Sequence, residues 1–175
     1  MLFRYKRPDT TVWKRFRSGQ DGFTFFRNGD IYEAKVGANA ERVVDLFYTI
    51  SEVMAPAVDV YIHDLRSQMS WTGETIALPD IRDAVARLKG PLATFGGVEV
   101  TLNTGEDQLT LGAELELYIY SRSDRWVYLL QSKNLEERGA LADRGWGGQS
   151  WDRTPAPALS DAVAAAAERL SLQSA

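Results

Sequence analysis

Residues 23–36 read Phe-Thr-Phe-Phe-Arg-Asn-Gly-Asp-Ile-Tyr-Glu-Ala-Lys-Val, the clearest hairpin in the chain. Asn28-Gly29 between two apolar runs predicts a type I′ turn, which needs positive φ at both central positions. Pairing outward from that turn sets Arg27 against Asp30, Phe26 against Ile31 and Phe25 against Tyr32. Phe23, Phe25, Tyr32, Ala34 and Val36 then share one face, and that face is core. An antiparallel sheet therefore begins here, with a shorter strand expected before it at 12–17.

The pattern extends downstream. Val43, Leu46, Phe47, Ile50, Val53 and Met54 recur at helical spacing and predict a helix over 40–54, capped by Asn39 and stopped before Pro56. Residues 58–65 alternate, with Val58, Val60 and Ile62 facing one way and Asp59, Tyr61 and His63 the other. A further strand is expected at 71–76. A second helix starts at Pro79 and is expected to end at Gly90-Pro91. Residues 98–131 read as an antiparallel meander. In it Ser121 to Asp124 turns the chain, and Trp126, Tyr128 and Leu130 return on the core face. Residues 133–158 read as an ordered Gly/Trp loop with one helical turn between 135 and 143. Ser160 then caps an Ala-rich helix that ends near Leu172, and residues 173–175 are expected to fray.

Together these elements predict a single α+β domain over 1–175. Residues 1–132 supply a mixed or mainly antiparallel sheet and two helices, 133–158 the loop, and 159–172 the C-terminal helix. The element order permits a ferredoxin-like core extended by the C-terminal β-meander. A chain of 175 residues, 45% hydrophobic and 25% charged, is ordinary globular material.

Composition narrows the chemistry. The chain has no cysteine, so disulfides, Cys-based zinc sites, iron–sulfur clusters and thiol catalysis are excluded. Its one histidine excludes a multi-His metal site within one chain. No cofactor and no metal are expected. No run is long and apolar enough for a membrane span, and no apolar leader follows Met1, so a cytoplasmic location is expected. The net charge is −4, yet residues 1–17 hold six basic groups against one acid, which leaves the remainder at −9. A basic arm could meet nucleic acid, but the acidic body repels phosphate, so nucleic acid is not the expected partner.

Four groups of residues could carry function. His63 lies on the open side of its strand, where an imidazole can act as a general base, with Asp59 two residues back to orient it. Glu114 and Glu116 share a face, and with Glu99 they could divide acid and base roles or hold a hard cation. Trp146 and Trp151, flanked by Arg144 and Arg153 on a Gly-rich stretch, could form an aromatic platform for a ligand, or plug the core. Tyr118 and Tyr120, beside Val127 and Leu129 of the expected paired strand, make a face too apolar to stay wet. It is expected to meet the last helix or another chain. No nucleophile–base–acid set occurs at motif spacing. The expectation is a non-catalytic binding protein with a protein partner or self-association, in the manner of acidic inhibitor or immunity proteins. A small carboxylate- or His-dependent hydrolase is the alternative, and a nucleic-acid binder through the basic segment the second alternative.

Overall fold

In the computed structural model, which describes residues 20–141 and 156–175, strand β1 (Gly22–Asn28) pairs with β2 (Ile31–Gly37). The register differs from expectation by one step on each side. Asn28 faces Ile31, so Gly29-Asp30 forms the turn and Arg27 faces Tyr32. Positive φ falls at Gly29 (63°) and not at Asp30, as a type II′ turn requires. The slip moves each pairing by two residues, and strand period is also two, so the core face is unchanged.

Helix α1 (Ala40–Ile50) is capped by Asn39, whose side chain accepts from the Arg42 amide at 3.0 Å, and a 3-10 turn follows at Ser51–Val53. Strands β3 (Ala57–Asp64) and β4 (Met69–Ala77) form a second hairpin. Helix α2 (Leu78–Phe95) runs through Gly90-Pro91 rather than stopping there. Pro91 removes one helical hydrogen bond, but Leu92 and Ala93 beyond it are buried, and the helix ends instead at Gly96, with φ 58°. The meander follows as β5 (Val98–Asn103), β6 (Asp107–Leu111) and β7 (Leu117–Ser121).

The expected return strand at 126–130 is a helix, α3 (Arg125–Ser132). Trp126 and Leu130 are buried four residues apart while Tyr128 is 64% exposed, a helical and not an alternating pattern. Ser121 to Asp124 starts this helix rather than a hairpin, with Ser121 Oγ accepting from the Ser123 amide and Ser123 Oγ from that of Arg125. Val127 and Leu129 are half-buried against the core and are not strand neighbours of Tyr118 and Tyr120.

Of the helical turn expected between 135 and 143, residues 135–141 show none, and 142 and 143 lie outside the described residues. There Phe23 bridges Glu137 in parallel, and Leu135 is buried. Helix α4 (Pro157–Arg169) buries Leu159, Val163, Ala166 and Ala167. Ser160 is inside it, not at its cap, and donates to Asp64. The last residues do not fray: β8 (Gln173–Ser174) pairs with β4, and the Ala175 amide donates to Ser70 O.

The eight strands lie in the order β1-β2-β7-β6-β5-β3-β4-β8, every neighbour antiparallel. The fold is α+β with an antiparallel open sheet. A ferredoxin-like core would seat β2 between β4 and β5; here β2 lies between β1 and β7. Alternation sends Phe23, Val36, Ile119, Leu109, Leu102 and Ile62 to one face, where they join the buried residues of α1 to α4 in a single core. All four described helices use that face. None of them is long and apolar enough to cross a membrane.

Candidate functional site

The other face of the sheet, called the open face below, carries no described helix, although Thr24 and Thr110 on it are buried. Its residues follow from strand register. One row runs Lys35, Tyr118, Thr110, Thr101, Tyr61, Thr72 across six strands. The next runs Glu33, Tyr120, Gln108, Asn103, Asp59. His63 pairs with Glu99 on one side and Ser70 on the other. Phe26, Tyr61 and Tyr120 are 55%, 37% and 39% exposed on this face.

The face has a rigid centre. Thr101 and Thr110 share a hydroxyl–hydroxyl bond of 3.0 Å, and the Tyr61 hydroxyl donates to Ser70 Oγ at 3.3 Å. Glu116, just before β7, is 5% exposed; its Oε2 accepts from the Tyr118 hydroxyl at 3.0 Å and pairs with Lys35 Nζ at 3.1 Å. Burial, then the charge of Glu116 and its hydrogen bond, then Glu114, push the Tyr118 phenol well above its ordinary value of 10.0. Tyr118 is therefore a fixed hydrogen-bond donor at neutral pH and not a general base. Gly112 makes room for its ring: a Cβ there would meet Tyr118 Cε2 at 3.0 Å.

The candidate catalytic residues are placed as follows. His63 and Asp59 share the open face, but Asp59 Oδ1 accepts from the Thr75 amide at 2.9 Å. That bond supports the irregularity between Val58 and Val60, where β4 carries an extra residue and Thr75 has φ 54°. The ring of His63 contacts that of Tyr61, 6.2 Å between centroids, and no hydrogen bond or ion pair of His63 is found among the described residues. Glu114 and Glu116 both act on Tyr118, but Glu99 is on β5, two strands from β7, or about 10 Å away across the sheet. The three glutamates do not converge, and no metal-holding group of three acidic or His side chains occurs among the described residues. Of the interface set, Tyr118 and Tyr120 lie on the open face, while Val127 and Leu129 lie on α3 against the core. Trp146, Trp151, Arg144 and Arg153 are outside the described residues.

Two buried carboxylates have partners that local sequence does not show. Asp64, 1% exposed, accepts from the Arg66 amide at 3.0 Å, the Ser67 amide at 3.4 Å and the Ser160 hydroxyl at 2.7 Å, which ties α4 to the end of β3. Asp107, 5% exposed, accepts from Ser121 Oγ at 2.5 Å and Trp126 Nε1 at 2.9 Å and pairs with Arg125, which seats α3. Both act as structural clamps. Asp107 also lines a cleft of about 520 Å³ with Met54, Thr104 and Arg125, and its two oxygens are already engaged there. Two further clefts lie between α1 and α2 and beside β4 and β8. None of these three is lined by His63, Glu99, Glu114 or Glu116.

Comparison with protein-family models, with curated proteins and with solved structures finds no match to this chain.

Proposed function

We propose that this chain is a non-catalytic binding protein whose recognition surface is the open face of the sheet. The supporting observation is the one-sided packing of the sheet, with Phe26, Tyr61 and Tyr120 more than a third exposed on the face that no described helix covers. Tyrosines on a hydrogen-bonded sheet offer large contact area at small entropic cost, the usual make-up of a protein interface. The partner is another protein, and the place of action is the cytoplasm, which suits a chain without cysteine.

The test is native mass spectrometry on the chain purified gently from its host, as wild type and as the Tyr61→Ala/Tyr120→Ala variant. The expected result is a protein adduct on the wild type that the variant lacks, with the same circular dichroism for both. Retention of the adduct by the variant, or a bare chain mass for the wild type, overturns the proposal.

A further inference from the structure

Acidic residues outnumber cations on the open face. Register places Glu33, Asp59 and Glu99 there, with Glu116 at its margin. Among the described strand residues of this face, Lys35 is the one Lys or Arg, and Glu116 neutralises it at 3.1 Å. Among the described residues the Glu33 side chain accepts from the Asn28 side-chain amide alone, at 3.5 Å, and Asp59 uses Oδ1 for the Thr75 backbone amide. The Glu99 side chain has no hydrogen bond or ion pair among the described residues.

These carboxylates adjoin the exposed rings. Glu33 is directly opposite Tyr120 on the neighbouring strand. Asp59 is two residues from Tyr61 on the same strand, and Glu99 is diagonal to Tyr61, whose own partner on β5 is Thr101. A tyrosine ring beside a carboxylate suits a guanidinium, which stacks on the ring while it forks onto the oxygens. The two ring–carboxylate pairs are separated by three strand spacings, roughly 15 Å.

We infer that the open face docks an arginine-rich, basic surface of a protein partner, with one arginine at Tyr120 and Glu33 and a second at Tyr61 with Asp59 and Glu99. This rests on the recognition surface proposed above and names the chemistry it recognises. Phosphate backbones and anionic membranes are repelled by the same charges.

The experiment is an amide-resolved NMR titration of the full chain with a deca-arginine peptide, for the wild type and two variants. Glu33→Gln/Glu99→Gln removes two charges from the open face, and Asp80→Asn/Asp83→Asn removes two from the exposed start of α2. The expected result is saturable shifts confined to β2, β7, β5 and β3, with binding at least fivefold weaker for the first variant and within twofold of wild type for the second. Equal weakening in both variants, or shifts spread over the helices, overturns the inference. The native partner separates the two proposals. If Tyr61→Ala/Tyr120→Ala releases it while Glu33→Gln/Glu99→Gln and raised salt do not, the surface stands and the basic partner falls. An adduct of twice the chain mass makes a second copy the occupant and also overturns the inference.

Discussion

Tyr118 joins sequence, packing and electrostatics at one residue. Alternation with Leu117 and Ile119 puts it on the open face, Gly112 leaves space for its ring, and Glu116 Oε2 accepts the hydrogen bond of its hydroxyl. The raised phenol value means that the folded chain holds this proton more tightly than the unfolded chain does. The stability that Tyr118 contributes is therefore complete below the ordinary value of 10.0 and declines as pH rises above it. Tyr118→Phe is expected to flatten the loss of stability in alkali, measured by urea unfolding at a series of pH values, and to remove the latest step from the tyrosinate absorbance titration. An unchanged alkaline slope would show that Glu116 and burial do not act on this phenol. The placement of Tyr118 was legible in the alternation of residues 115–120. Its partner Lys35 was not, because β2 and β7 lie far apart in the chain and pair only in the folded sheet. Asp59 shows the same limit: its strand face was readable, but its bond to Thr75 depends on an irregularity in β4.

Among the elements, α2 departs furthest from its sequence signals. Gly90 and Pro91 both disfavour a helix interior, yet burial of Leu88, Leu92 and Ala93 carries the helix to Phe95. Gly90 is exposed, but it precedes Pro91, whose ring disfavours helical backbone at a preceding residue that carries a Cβ. Alanine's better helix propensity, worth roughly 0.5–1 kcal/mol, opposes that clash. Gly90→Ala is therefore expected to shift Tm by less than about 2 °C by calorimetry. A larger rise would show that the Pro91 ring does not crowd the helical turn before it. Helix α3 carries the related lesson. Trp126, Tyr128 and Leu130 fit a strand on hydropathy alone, and a short apolar run cannot separate period 2 from period 3.6. The deciding contact is the bond from Trp126 Nε1 to buried Asp107, nineteen residues away in sequence.

For the whole molecule, strand order sets the pattern of local stability. The five strands β2, β7, β6, β5 and β3 have a neighbour on both sides over most of their length, β1 is an edge, and β8 pairs over two residues. Hydrogen exchange followed by mass spectrometry should find the slowest amides in β5, β6 and β3 and the fastest strand amides in β8 and the outer half of β1. Slow exchange in β8 would show that the C-terminal pairing is worth more than its two residues suggest. All described helices pack on one face of the sheet, and the proposed docking surface is the other.

The α+β class, the hairpin at 23–36, α1, the β3 alternation and the first three strands of the meander were determined by the sequence, because each rests on local periodicity and on caps and turns a few residues apart. Only the tertiary structure decided the strand order, the course of α2 past Pro91, the helical state of α3 and the pairing of β8. Each of these depends on burial and hydrogen bonds between residues distant in the chain, which local pattern does not encode. The open face belongs to both. Alternation determined which residues share it, and the packing of all four described helices on the opposite side left it without a described helix.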